Sequence, residues 1–230
     1  MTVVDPLARI ARAISDQREF EARGRELSLY VAIGDSFTAG TGCAAGDAWP
    51  DHLAEALRQR NPSLELRNLA GNGATSSDVL GEQVPEVLEL EPDLVTVVCG
   101  GNDVLRSTRP DVDGYEDRLE LILGRLRSAN PLLRIATATA PEQWDFLSLG
   151  PRTRARVEDG LATLNRITRE VARRHSVPWL EVAGHPGLAD PANYSSDGLH
   201  PSAVGHRRTA RAFAELLAEH YGVLEPGASR

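Results

Sequence analysis

The sequence predicts a three-layer α/β domain: a five-stranded parallel sheet covered on both faces by helices, with one extra helix ahead of it. Three observations lead there. Five short apolar runs recur along the chain, separated by longer segments with helical periodicity. That alternation builds right-handed βαβ units, whose sheet is parallel. The run Leu94–Val98 is apolar almost throughout, as expected of a strand buried on both faces. Finally, 230 residues with 41% hydrophobic content suffice for one full core without disulfide or metal staples.

The elements follow in order. Leu7, Ile10, Ala11 and Ile14 share a face, which predicts a helix over 5–24. This N-terminal extension, 1–28, has three possible uses: packing on the core, a dimer contact, or shading the site. Leu29–Ile33 is the first strand. Trp49–Arg60 is helical, with Leu53, Ala56 and Leu57 on one side. Leu64–Leu69 alternates as a strand does. Val79–Leu90 reads as a helix that Pro85 either kinks or divides. Leu94–Val98 is the third strand, Tyr115–Leu126 a helix, and Ile135–Thr139 a strand closed by Pro141. Arg152–His175 is a long helix, Trp179–Val182 the last strand, and Ala203–His220 the last helix. The main domain therefore spans 29–224 in flavodoxin-like order, and 225–230 is a frayed tail.

Composition removes several classes of function. The net charge is -8, which argues against nucleic acid and against an anionic membrane surface. All 25 basic residues are arginine. Schiff-base catalysis and a lysine-containing phosphate loop are thereby excluded. Cys43 and Cys99 form no disulfide framework, and no Cys-x-x-Cys or His-x-x-x-His spacing suggests a metal. Cys99 ends a strand and is expected as a buried thiol. The first 28 residues are too charged for a signal peptide, and no run is long enough to cross a membrane; a cytoplasmic protein is the expectation.

Three islands stand where strands give way to loops: Gly34-Asp35-Ser36, Gly100-Gly101-Asn102-Asp103, and Asp197-Gly198-Leu199-His200. In open α/β sheets, ligands bind at the carboxyl ends of the strands, so the three converge on one rim. Each has a plain structural reading as well as a chemical one. Ser36 is a hydroxyl nucleophile or a helix cap. Asp197 and His200, three apart, either pair in one turn or simply make an Asp-Gly turn before Pro201. Asn102 offers its amide to an oxyanion or bonds a local turn. His206 falls within the last helix and reads as structural.

The order and placement of these islands closely resemble the SGNH (GDSL-type) hydrolase family, from about Tyr30 to Phe213. Gly34 through Gly40 is similar to its nucleophile block, with Phe37 where leucine is typical. Asn68 through Thr75 is similar to its second block, which here contains both Gly71 and Gly73. Gly100 through Asp103 and Asp197 through Pro201 match its third and last blocks. The resemblance implies a catalytic triad of Ser36, His200 and Asp197. It also implies an oxyanion hole made by Ser36, Gly73 and Asn102, with neither metal nor organic cofactor.

Loops 41–50, 104–114, 142–151 and 185–196 are expected around the Ser36 mouth. Trp144, Phe146, Leu147 and Leu149 either line a substrate pocket or cover the core. Arg106 and Arg109 either meet an anionic substrate group or lie solvated. The first functional reading is a serine esterase acting through an acyl-enzyme on small-molecule esters, those of acetylated metabolites or sugars foremost. Thioester cleavage, lysophospholipid cleavage and acyl transfer use the same chemistry and stay open. A non-catalytic flavodoxin-like binding module is the remaining class. Oligomeric state is not readable from the chain.

Overall fold

In the computed structural model of the chain, residues 25–142 and 149–224 are described. The predicted helix over 5–24, the loop residues Trp144, Phe146 and Leu147, and the tail 225–230 lie outside them. Five strands form one parallel sheet in the order β2-β1-β3-β4-β5. They are β1 (Leu29–Gly34), β2 (Glu65–Asn68), β3 (Leu94–Val98), β4 (Arg134–Ala138) and β5 (Trp179–Leu180). Helices follow the expected alternation. A single turn, α1 (Ser36–Ala39), leaves β1, and α2 is Trp49–Arg58. α3 (Ser76–Asp78), a π-helical turn (Val79–Gln83) and α4 (Val84–Leu90) form one stretch. α5 (Gly101–Leu105), α6 (Val112–Ala129), α7 (Pro151–Arg174) and α8 (Ala203–Tyr221) are the remaining α-helices among the described residues, with 3-10 turns at Pro186–Ala189 and Pro191–Asn193 in the loop after β5.

Side chains alternate across the sheet because the strand period is two. Val31, Ile33, Val95, Val97 and Ile135 face a core shared with Val84, Leu119, Ile122, Leu161 and Ile167 of α4, α6 and α7. Tyr30, Ala32, Leu94 and Ala136 face the opposite core, built with Leu53 and Leu57 of α2 and Phe213 and Leu217 of α8. There the Trp49 and Phe213 rings stack, centroids 4.6 Å apart. His206, buried on α8, accepts the Trp49 N–H on Nδ1 at 3.2 Å and so satisfies an orphan donor at the start of α2. Burial lowers its pKa to about 4.

Pro85 divides its helix rather than merely bending it. Proline brings no N–H, so the ladder is interrupted one turn upstream. The Val84 N–H reaches back five residues to the Val79 carbonyl, giving the π turn. The last strand is shorter than predicted: β5 has two residues, because the Val182 and Ala183 N–H groups turn to Thr139 Oγ1, at 2.8 and 3.0 Å, instead of continuing the ladder. α6 begins three residues earlier than its apolar face indicates, capped by Asp111, whose side chain accepts the Gly114 N–H. Both cysteines are free; the Cys99 residue is half-buried, and burial of its thiol pushes its pKa well above the ordinary value. Among the described residues, no helix is long and apolar enough to cross a membrane.

Candidate active site

β1 ends in a backbone that only glycine accepts. Gly34 has φ +149, and a Cβ there would lie 2.0 Å from the Val98 carbonyl oxygen. Its peptide groups are clamped from α4's side: the Gly34 N–H donates to Gln83 Oε1 at 2.8 Å, and Gln83 Nε2 donates to the Gly34 carbonyl at 2.9 Å. Gln83 is the last residue of the π turn and is 7% exposed. Asp35 then caps the single turn α1, accepting the Phe37 N–H on Oδ1 at 3.0 Å. Burial pushes its carboxyl up to about 7. Ser36 is the first residue of that turn, at the mouth of a 240 Å³ cleft.

The second half of the site arrives from the loop after β5. His200 Nε2 lies 3.0 Å from Ser36 Oγ, and His200 Nδ1 lies 2.7 Å from Asp197 Oδ2. The other carboxylate oxygen, Oδ1, accepts Ser195 Oγ–H at 2.8 Å, Leu199 N–H at 2.8 Å and His200 N–H at 3.0 Å. Partial burial raises the Asp197 pKa, but the hydrogen bonds from His200, from the two N–H groups and from Ser195 outweigh it. The carboxyl is held well below the ordinary carboxylate range. The Phe37 ring packs on His200 with centroids 5.7 Å apart.

Gly73 and Asn102 line the same cleft as Ser36 and His200. Gly71, the other glycine of its block, donates its N–H to the Gly34 carbonyl at 3.1 Å, so that donor is already committed. Gly73 has φ +73, a left-handed turn that aims its loop at the cleft. Asn102 Nδ2 donates to the Ala74 carbonyl at 3.0 Å, which uses one of its two amide hydrogens and ties α5 to the Gly73 loop. Arg106, expected near a substrate anion, donates from Nη1 to the Gly73 carbonyl at 2.7 Å. Its guanidinium holds the loop.

Three residues that support the site carry no motif. Gln83 clamps the turn before Ser36. Ser76 donates N–H and Oγ–H to Asp103, at 2.9 and 2.5 Å, and accepts Arg118 Nε–H on Oγ at 2.7 Å. Arg118 also pairs with Asp103 at 3.3 Å. Together they pin Asp103, and with it the neighbouring Asn102. The residues singled out in the three islands are thus brought together; Trp144 and Phe146 fall outside the described structure. Among the described residues no cluster of three or more His, Cys, Asp or Glu side chains is arranged to hold a metal.

The chain is similar to known proteins. Residues 32–208 match the GDSL-like Lipase/Acylhydrolase family. The chain is 24% identical to an arylesterase of Vibrio mimicus, covering 83% of this chain and 88% of that protein. It is 25% identical to thioesterase 1/protease 1/lysophospholipase L1 of Escherichia coli, covering 78% of each. A further match, 25% identical, to the uncharacterized protein YpmR of Bacillus subtilis spans only about half of that protein, 51%. Among solved structures, LAE5, an alpha/beta hydrolase enzyme from the metagenome of Lake Arreo, Spain, superposes with a TM-score of 0.66 at 25% identity, over 89% of this chain and 98% of that one. The chain belongs to the GDSL-like lipase/acylhydrolase family and is a carboxylic ester hydrolase.

Proposed function

We propose that the chain hydrolyses small-molecule carboxylic esters with Ser36 as nucleophile, His200 as base and acid, and Asp197 as the orienting carboxylate. The observation that carries this reading is the bridging position of His200, 3.0 Å from Ser36 Oγ and 2.7 Å from Asp197 Oδ2. A carboxylate on Nδ1 fixes the tautomer that leaves Nε2 free to accept, and stabilises the imidazolium once formed.

The chemistry then balances in two halves. Ser36 Oγ bonds to the acyl carbon as its proton passes to His200 Nε2. The resulting oxyanion is held by the Ser36 and Gly73 N–H groups and by the amide hydrogen of Asn102 not given to Ala74. The C–O bond to the alcohol breaks, and the alcohol leaves with the proton from His200. Water next gives a proton to His200 and adds to the acyl carbon. Ser36 recovers that proton as the acid departs. The same acyl-enzyme would form from a thioester, a reading favoured by the similarity to a protein named as a thioesterase.

Hydrolysis of p-nitrophenyl acetate by wild type and Ser36→Ala tests the proposal. Release should fall by at least about 10⁴-fold in the variant, together with loss of fluorophosphonate labelling. Undiminished release by folded Ser36→Ala overturns the assignment.

A further inference from the structure

Thr41 is bonded to both walls of the cleft. Its N–H donates to the Ser36 carbonyl at 3.0 Å. Its Oγ–H donates to Asn72 Oδ1 at 2.5 Å, across 31 residues. Asn72 directly precedes Gly73, and Ser36, Thr41, Asn72 and Gly73 all line the cleft. Thr41 is therefore a strut, one residue wide, between the two backbone donors proposed for the oxyanion, the Ser36 and Gly73 N–H groups. A sharp turn of the chain puts it there: Gly40 and Gly42, on either side, are both left-handed, with φ +87 and +94. Gly42 also seats the turn on the base loop. A Cβ there would lie 3.3 Å from Ser195 Oγ, the group that donates to Asp197.

The loop that carries Gly73 is held along its whole length. Its start is fixed by Asn68 Nδ2 on the Thr38 carbonyl and by the Gly71 N–H on the Gly34 carbonyl. Its end is fixed by Arg106 on the Gly73 carbonyl and by Asn102 on the Ala74 carbonyl. The Thr41 bond acts between these, on the residue whose carbonyl shares a peptide group with the Gly73 N–H. An oxyanion donor is effective because it is already aimed when the charge develops, and a small misplacement weakens the transition state far more than it weakens substrate binding. The bond itself is exposed and adds little to stability, so its consequence lies in rate. We infer that Thr41 is a positioning residue for the ester reaction: through Asn72 it sets the distance between the Ser36 and Gly73 N–H groups, while touching no reacting atom. The inference rests on the Ser36 esterase reading and deepens it.

The test is Thr41→Val with p-nitrophenyl acetate. Valine keeps the shape and the N–H given to Ser36, and removes the hydroxyl. kcat should fall about tenfold, short of the about 10²–10³-fold that loss of a whole donor costs. KM should stay within about twofold. A trifluoromethyl ketone adds to Ser36 as a hemiketal whose oxyanion takes the same donors. Its Ki should rise by the factor by which kcat falls, which a merely structural role would not produce. Thr41→Ser keeps the donor and should restore both values. Asn72→Ala removes the acceptor at an exposed position, so the measurement stands even if Thr41→Val folds poorly. It should reproduce the loss, and the double variant should be no worse than either single one. Unchanged kcat and Ki in folded Thr41→Val or Asn72→Ala overturn the inference, as do fully additive losses in the double variant. Turnover that still depends on Ser36 then leaves the esterase reading intact. Undiminished turnover in folded Ser36→Ala overturns both.

Discussion

The two halves of the site are held in different ways. On the nucleophile side, the positioning bonds join distant parts of the chain. Gln83 to Gly34 spans 49 residues, Arg106 to Gly73 spans 33, Asn68 to Thr38 spans 30, and Ser76 to Asp103 spans 27. Ser36 itself is 7% exposed. On the acid–base side, all the bonds to Asp197 come from within three residues, and its side chain is 48% exposed. The proposed nucleophile and oxyanion groups therefore inherit their geometry from the whole fold, whereas Asp197 and His200 form a nearly self-contained loop. Damage to the first half should show in stability and rate together; damage to the second should show in rate with little change in stability.

Asp197→Asn separates the halves most sharply. Asparagine keeps an oxygen for Ser195 and the two N–H groups, but sets an NH₂ against His200 Nδ1. The tautomer that leaves Nε2 as acceptor is lost, and kcat should fall by about 10⁴-fold. Circular dichroism and Tm at neutral pH should stay near wild type. A large fall in Tm would show that the loop is not self-contained. Asn102→Ala comes next. It removes one oxyanion donor, so kcat should drop by about 10²–10³-fold. It also frees the Ala74 carbonyl, so a modest Tm loss should accompany the rate loss. A rise in KM with kcat unchanged would assign Asn102 to substrate binding instead.

The same division explains what the sequence revealed. The base loop is legible in part because its geometry is local: an Asp and a His three apart after a strand can pair within one turn, and the family resemblance decides between that and a plain Asp-Gly turn. The strand order is legible because alternating runs leave few topologies. Gln83, Ser76 and Arg118 were not legible, since each acts across at least 15 residues on a partner that only the folded chain supplies. A signal for Gln83 exists in retrospect. Pro85 in a helical stretch requires a rearranged turn just upstream, and a polar residue there is turned toward the sheet. Arg106 was singled out for its charge and its nearness to Asn102. Periodicity shows neither a substrate contact nor a loop clamp, and the hydrogen bond to Gly73 establishes the clamp. The ambiguity between Gly71 and Gly73 was likewise one of hydrogen-bond partners, which spacing does not encode.

Gln83→Leu tests the fold-dependent half without touching a reacting group. Leucine fills comparable space but leaves the Gly34 N–H buried without its acceptor, at a cost of about 1–3 kcal/mol. The Gly34 carbonyl retains the Gly71 N–H. Thermal unfolding should show the loss, and kcat should fall while KM stays within about twofold. Restored kcat in Gln83→Asn combined with lost Tm would separate positioning from packing. Unchanged Tm and kcat in Gln83→Leu would refute the clamp.

The last effect is on stability rather than rate: it lies in Asp35, and its sign is opposite to that of Asp197. Burial raises the Asp35 carboxyl from an ordinary value to about 7. Between about pH 4, where the unfolded chain ionises, and pH 7, the native state therefore binds the extra proton. Native stability then declines as pH rises through that window and levels off above it. Asp197 is depressed, so its contribution is present above about pH 4 and is lost only in stronger acid. Asp35→Asn keeps an oxygen for the Phe37 N–H and removes the ionisation. Its Tm should change less than wild type between pH 4 and 7, and should exceed wild type at pH 8. A wild-type Tm that rises across this interval as steeply as in the variant would mean that Asp35 is ionised in the native turn. The cap of the turn that holds Ser36 would then carry a negative charge in the wall of the same cleft, which would work against the proposed oxyanion donors gathered there.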